Sequence, residues 1–311
     1  PPLDTPSWTV EGAVPPLPDD GSGDDGDGGS GDDGDDGSSS DGGGETADTF
    51  PIPDVGEPTF DRVLDAVMDL GIDDTGERPI GDELRWLDDG TLVEFPPGEY
   101  TIEAQTALYG KERVGLRAAD GATFRASADS STDGVTTTMW FNDCRDVLLD
   151  NLTFDQGGFE DDVPNVGLVA NVRDGLLVRD LTIDGANDLR GDGDMAGLTV
   201  NVLDPDGEAV VEGYRHVGPS DFGEVANDAY SWAPAAVRGN HEGHVHFVEC
   251  HIEGGHGGGA VFSGKHAGTT GFDRCYLVNN NVAGPRLGAG VVRDSTVYVN
   301  WQRSHPGSRT V

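Results

Sequence analysis

One short pattern occurs twice, 25 residues apart, and it narrows the folds open to this chain. Val245, Phe247, Cys250 and Ile252 in the first copy fall on Thr270, Phe272, Cys275 and Leu277 in the second. Apolar and polar residues alternate within each half, which is the period of a strand, and the three-residue step between the halves marks a bend. Strand, bend and strand repeated at this interval describe the coil of a solenoid. The frame extends in both directions. Val147, Leu149, Leu152 and Phe154 fit it, Leu176, Val178, Leu181 and Ile183 fit it 29 residues later, and Val292, Ser295 and Val297 fit it 20 residues after the second copy. Coils stacked about 4.8 Å apart place equivalent side chains in columns. One inward column is expected to hold Leu152, Leu181, Cys250, Cys275 and Ser295, and Asn142, Asn171 and Asn240 are expected to stack as an amide ladder at a turn.

The chain before the repeats divides by composition. Residues 1–18, with Trp8 and Val10 among six prolines, read as a tail or the remnant of a preceding segment. Residues 19–49 are almost wholly Gly, Asp and Ser; they cannot bury enough apolar surface to offset chain entropy, so a disordered, self-repelling linker is expected. From Phe50 onward Phe60, Val63, Leu64, Val67, Met68 and Leu70 recur at helical spacing up to Gly71, which predicts a short amphipathic helix. Two strands joined by the Pro96-Pro97-Gly98 corner follow, then a second pair around Val114–Ser127.

A helix followed by Gly90-Thr91-Leu92-Val93-Glu94-Phe95-Pro96-Pro97-Gly98-Glu99-Tyr100 and then a first coil resembles the N-terminal cap of right-handed parallel β-helix proteins of the pectate lyase superfamily. The resemblance spans about residues 50–311 and is one of fold. The expected class is therefore all-β: a right-handed parallel β-helix over residues 50–311 with an N-terminal helical cap, preceded by the disordered acidic linker. Both ends of the chain are expected to be cut.

Charge bounds the partners. There are 58 acidic and 19 basic residues, a net charge of −39, and Lys111 and Lys265 are the two lysines. Such a surface resembles that of extremely halophilic archaeal proteins, in which molar salt screens self-repulsion within about 3 Å. No basic stripe exists to neutralise phosphates, which argues against nucleic acid. No apolar run reaches the roughly 18 residues that a membrane span needs. Cys144, Cys250 and Cys275 give no disulfide framework and read as buried thiols.

Six of the eight histidines lie between His241 and His266. In the repeat frame His241 and His266 sit one coil apart, with Asp143 expected below and Arg286 above, so His241, His266, Lys265, Asp143 and Arg286 form the candidate catalytic edge. Histidine beside a carboxylate can exchange protons near neutral pH. His244 and His246 are expected to point outward together, and with Glu242 or His241 they are an alternative metal set; a solvated histidine-rich face is the third reading. Between Leu181 and Cys250 the frame loosens, and residues 212–234 read as a protruding loop. Its Tyr214, Tyr230 and Trp232, with His256, are candidate sugar-stacking and substrate-binding groups, or packing groups for the loop itself.

The resemblance adds two comparisons. Superfamily lyases pair calcium-binding aspartates with an arginine or lysine base; here Asp184, Asp188, Asp192 and Asp194 are calcium candidates, although turn chemistry also accounts for them, and Lys265, Arg238 and Arg286 are candidate bases. Polygalacturonase-like hydrolases carry a segment that Gly255-His256-Gly257 and Ala260–Gly264 match only loosely, without the partner aspartates. The expectation is an extracellular or cell-surface protein acting on a polysaccharide, as a lyase or hydrolase. The alternative is a non-catalytic surface or virus-tail module, monomeric or trimeric.

Overall fold

The computed structural model describes residues 8–14, 50–102, 106–127, 135–157, 165–188, 196–218, 220–221, 233–255, 260–280 and 284–298. The expected linker over residues 19–49 lies outside them. In chain order the strands are β1 (Trp8–Val14), β2 (Arg62–Asp65), β3 (Thr91–Phe95), β4 (Gly98–Ile102), β5 (Thr106–Tyr109), β6 (Glu112–Ala118), β7 (Ala122–Ala126), β8 (Val135–Asp150), β9 (Thr153–Asp155), β10 (Asn165–Arg179), β11 (Thr182–Asp184) and β12 (Asn187–Asp188). They continue as β13 (Ala196–Val202), β14 (Glu208–Glu212), β15 (Arg215–Val217), β16 (Ser220–Asp221), β17 (Ala233–Val237), β18 (His244–Val248), β19 (His251–Glu253), β20 (Val261–Ser263), β21 (Thr269–Asp273), β22 (Tyr276–Val278), β23 (Pro285–Arg286) and β24 (Gly290–Tyr298).

Pairing sorts them into three parallel columns, which make a parallel β-helix. The first climbs β2, β3, β6, β8, β10, β14, β18, β21, β24. The second climbs β4, β7, β9, β11, β15, β19, β22 and the end of β24, and the third β5, β8, β10, β13, β17, β20, β23. β8, β10 and β24 each turn a corner and serve two columns. Asn151, Asp180, Gly213, Glu249, Arg274 and Asp294 make one row of bends, with φ between 46° and 66°. This is the left-handed region, which Asn, Asp and Gly enter most readily, and it explains the three-residue step in the repeat.

The residue after each bend points inward. The row is Leu152, Leu181, Tyr214, Cys250, Cys275 and Ser295, each 0–2% exposed. Tyr214 was expected on a protruding loop; instead it is the member of this row that divides the 69-residue gap, 33 residues after Leu181 and 36 before Cys250. Ala209, Val211 and His216 complete that coil, so the frame persists where polar His216 and small Ala209 replace the apolar signal. The three cysteines are free and buried. Phe95, Tyr100, Phe124 and Phe154 pack in the lower coils with ring centroids 5.0–5.4 Å apart, and Phe247 stacks on Phe272 at 5.0 Å. Each such buried ring contributes about 2–3 kcal/mol of transfer free energy.

The amide ladder is present but takes a different course. Asn171 Nδ2 donates to Asn142 Oδ1 and Asn201 Nδ2 to Asn171 Oδ1, both at 2.7 Å, and the Arg238 amide donates to Asn201 Oδ1 at 2.6 Å. Asn201 thus takes the third place expected for Asn240, which is exposed in a turn one coil higher.

The cap also differs. Among the described residues there is no helix: Arg62–Asp65 pair in parallel with Thr91–Glu94, and a turn follows. Asp65 is the cause. Its carboxylate accepts the amide hydrogens of Val67 and Met68 at 2.9 and 2.8 Å, while the Ala66 amide donates across to Glu94 O at 2.8 Å. The bonds from Asp69 N to Asp65 O and from Gly71 N to Val67 O close a turn that Gly71, at φ 70°, ends.

Before β2 the chain runs as a strap down the outer face of the first column. Ile52, Val55 and Phe60 cover Leu92, Leu148, Leu177, Val210 and Val248. At Gly115 an added Cβ would lie 2.7 Å from the Phe60 ring, so the glycine makes room for the strap. Beside it Glu94, Arg117, Asp150, Arg179 and Glu212 stack in register with alternating sign, and Glu57 of the strap accepts from Arg117 at 2.7 Å and Arg179 at 2.8 Å.

Candidate functional site

The histidine edge is built by successive turns. The turn after β17 returns the His241 amide to Arg238 O at 3.0 Å and directs the imidazole into the stack. His241 is fully buried. Its Nδ1 accepts the Val202 amide hydrogen from the coil below at 3.0 Å, so Nε2 carries the proton and donates it to Thr269 O in the coil above at 3.0 Å. Burial drives its pKa down to about 4, against the backbone bond to Thr269. Gly268 is required at its position, because a Cβ there would come 2.5 Å from the ring.

His266 sits edge-on to His241, with ring centroids 4.8 Å apart. Nδ1 donates to Gly268 O at 3.0 Å, which leaves Nε2 to accept the Ser263 hydroxyl at 2.8 Å. Ser263 Oγ in turn lies 2.8 Å from Thr270 Oγ1, which must then be the donor. Serine bonded to an oriented histidine is the arrangement of an activated nucleophile. Ser263 and Thr270 are both fully buried, however, so no substrate carbonyl reaches the hydroxyl and the chain of bonds braces the turn.

Lys265 is in the same turn as His266, but Asp143 and Arg286 do not stack with the two rings. Asp143 is an extra residue between Asn142 and Cys144, which pair with Asn171 and Val172; at φ 60° it bulges outward and meets Arg173 at 2.6 Å. It lies several coils below His241, since the ladder passes through Asn201 before reaching that turn. Arg286 is above Phe262 rather than above His266. His244 is exposed, with Nδ1 2.6 Å from Thr269 Oγ1, whereas His246 is buried and lies beneath Gly271.

Of the binding candidates, Tyr214 is inside the solenoid and its hydroxyl donates to Pro234 O at 2.7 Å. Tyr230, Trp232 and His256 lie outside the described residues, as do Asp192 and Asp194. Asp188 is in β12, and Asp184 accepts the amide hydrogen of Gly185 at 2.8 Å in a local turn. Among the described residues no three His, Cys, Asp or Glu side chains converge as metal ligands.

A different group converges on the same edge. Phe262 is the outward, partly buried member of β20, between Ala236 below and Arg286 above. The Arg286 guanidinium lies 5.2 Å from its ring centroid and that of Arg238 5.8 Å. Lys265, exposed at φ 60°, is three residues on in the turn that stacks between Gly239 and Gly288. Two arginines thus flank an aromatic face, with one of the two lysines in the adjacent turn, in a chain of charge −39. Arg62 pairs with Asp88, Arg113 with Asp61 and Arg274 with Glu249. Arg286 has no carboxylate partner among the described residues. Arg238, Lys265 and Arg286 were visible in the sequence as candidate bases; Phe262 was not singled out as the ring that gathers them, because only register places it there.

No family model matches the chain, and no curated protein does. Among solved structures, PfbA, a surface adhesin of Streptococcus pneumoniae, is similar with a TM-score of 0.50 and 14% identity, over 75% of this chain and 62% of that one. A candidate glycosyl hydrolase from Parabacteroides merdae has a TM-score of 0.37 and 12% identity, over 69% of this chain and 95% of that one. The chain spans about three-fifths of the length of PfbA, and the likeness is one of fold: a parallel β-helix.

Proposed function

We propose that this protein is a surface β-helix module that binds an acidic polysaccharide without cleaving it, at the edge formed by Arg238, Phe262, Lys265 and Arg286. The observation that carries the reading is the Arg286 guanidinium on the Phe262 ring, 5.2 Å from its centroid and without a carboxylate of its own among the described residues. A guanidinium fork matches a carboxylate or sulfate, and the ring offers an apolar face to a sugar. In molar salt long-range repulsion from the acidic surface is screened within about 3 Å, so contact charges decide which ligand is held. This suits an extracellular protein of a halophile. The same scaffold serves catalytic and adhesive proteins alike, so the site and not the fold carries the argument.

The test is retention on immobilised polyuronate and on a neutral glycan of equal length, in molar salt, for the full chain and for Arg286→Gln and Phe262→Ala. Retention of polyuronate alone, weakened about 10-fold by either substitution with unchanged melting, is expected. Equal retention by the variants would refute the site, and shortening of the polysaccharide would replace binding by the lyase or hydrolase reading.

A further inference from the structure

Strand β24 has parallel neighbours β21 and β22 on one side and β1 on the other. β1 runs antiparallel, from Trp8 opposite Val297 to Val14 opposite Gly290, with a register shift between Val10 and Gly12. The shift falls where β24 bends at Asp294, at φ 46°: β24 carries two residues there, Arg293 and Asp294, opposite one of β1, Glu11, so the bulge lies in β24 at its corner. β24 itself is Gly290-Val-Val-Arg-Asp-Ser-Thr-Val-Tyr298, rich in β-branched residues, and its two charges, Arg293 and Asp294, cancel within a chain of −39. Left bare, a neutral strand of this composition is a template for another edge.

β1 is also separable from the rest. Thirty-five residues lie between Val14 and Phe50. At 3.3–3.6 Å per residue they reach roughly 115 Å, against about 40 Å for a column of nine strands, so β1 can leave β24 without displacing any other strand.

We propose that β1 is an edge guard, and that the edge it covers is a two-fold interface for a second copy of this chain, joined tail to tail. An edge that takes β1 antiparallel takes a second β24 in the same sense, because a two-fold axis across the strand makes the copies antiparallel. With the axis between Arg293 and Asp294, corner lies on corner and each Arg293 faces the Asp294 of the other copy. The acidic surface disfavours most contacts between copies; this neutral strand does not.

Light scattering with gel filtration in molar salt, on the full chain and on a variant lacking residues 1–14, tests the proposal, with circular dichroism reading the fold. The full chain is expected at the monomer mass and the variant at twice its own monomer mass, returning to monomer when a synthetic peptide of residues 1–18 is added in excess. A folded variant that stays monomeric overturns the proposal, as does a disperse aggregate that the peptide does not reverse. Loss of the fold in the variant would also overturn it, since β1 would then be part of the folding core and not a guard.

Discussion

His241 joins Val202 in the coil below to Thr269 in the coil above, accepting at Nδ1 and donating at Nε2, each at 3.0 Å. Both backbone groups lose their partner if the ring is removed. His241→Ala is therefore expected to destabilise the fold by roughly 2–4 kcal/mol, from two unmet buried polar groups and a cavity. Denaturant unfolding in molar salt measures this; a change below about 0.5 kcal/mol would deny the clamp.

The buried histidines set a pH dependence. Burial is the leading cause that brings His216, His241 and His246 each to about 4, from an ordinary value of 6.5. Between those values the unfolded chain binds more protons than the folded one, so stability is fully present above pH 6.5 and falls as pH drops towards 4. Each ring contributes at most on the order of 3 kcal/mol. The Nε2 atom of His246 is buried without a hydrogen-bond partner among the described residues, and the charges of Arg293, Asp273 and His244 act on the ring. His246→Leu is expected to flatten the slope between pH 6.5 and 4 without lowering stability at pH 7, read from melting temperature against pH.

Gly271 and His246 are fitted to one another. A Cβ on Gly271 would lie 2.2–2.5 Å from ring atoms of His246 in the coil below. Gly271→Val alone is expected to cost about 2 kcal/mol or more through overpacking, and His246→Ala with Gly271→Val to recover most of it. Additive losses in the double-mutant cycle would show that the two do not share the space.

The strap is held by charge as well as by apolar contact. Glu57 bridges Arg117 and Arg179, whose shared acceptor Asp150 is bonded at 2.7 and 2.8 Å. Hydrogen bonding from Arg117 leads the causes that keep the Glu57 carboxyl below its ordinary range. Glu57→Gln is expected to lower stability by about 1 kcal/mol, and Gly115→Val, which drives a side chain into Phe60, by more. Protease cleavage near Phe50 should quicken in both variants if the strap lifts.

Much of the solenoid was legible because its coils reuse one inward pattern: the rows through Leu152, Leu181, Cys250 and Cys275 could be drawn from spacing alone. The coil between them was hidden because His216 and Tyr214 put polar side chains inward, with the Tyr214 hydroxyl bonded to Pro234 O and His216 Nδ1 3.3 Å from Glu253 O. The cap misled for a local reason: the apolar stripe from Phe60 to Leu70 has helical spacing, and the Asp65 carboxylate closes a turn instead. Of the candidate edge, the His241 and His266 pairing was readable from their one-coil separation. Their burial was not, because it depends on Gly268 and on backbone partners in two other coils. Arg286 and Phe262 meet only because β20 and β23 pair in one register, which no local sequence signal specifies.

The most direct measurement of the account is the affinity of the full chain for a polyuronate oligosaccharide in molar salt, by calorimetry, beside Arg286→Gln. The account predicts saturable binding of the acidic oligosaccharide, about 10-fold weaker in the variant, with the oligosaccharide recovered intact. Binding of equal strength in the variant, or none by the intact chain, would contradict it.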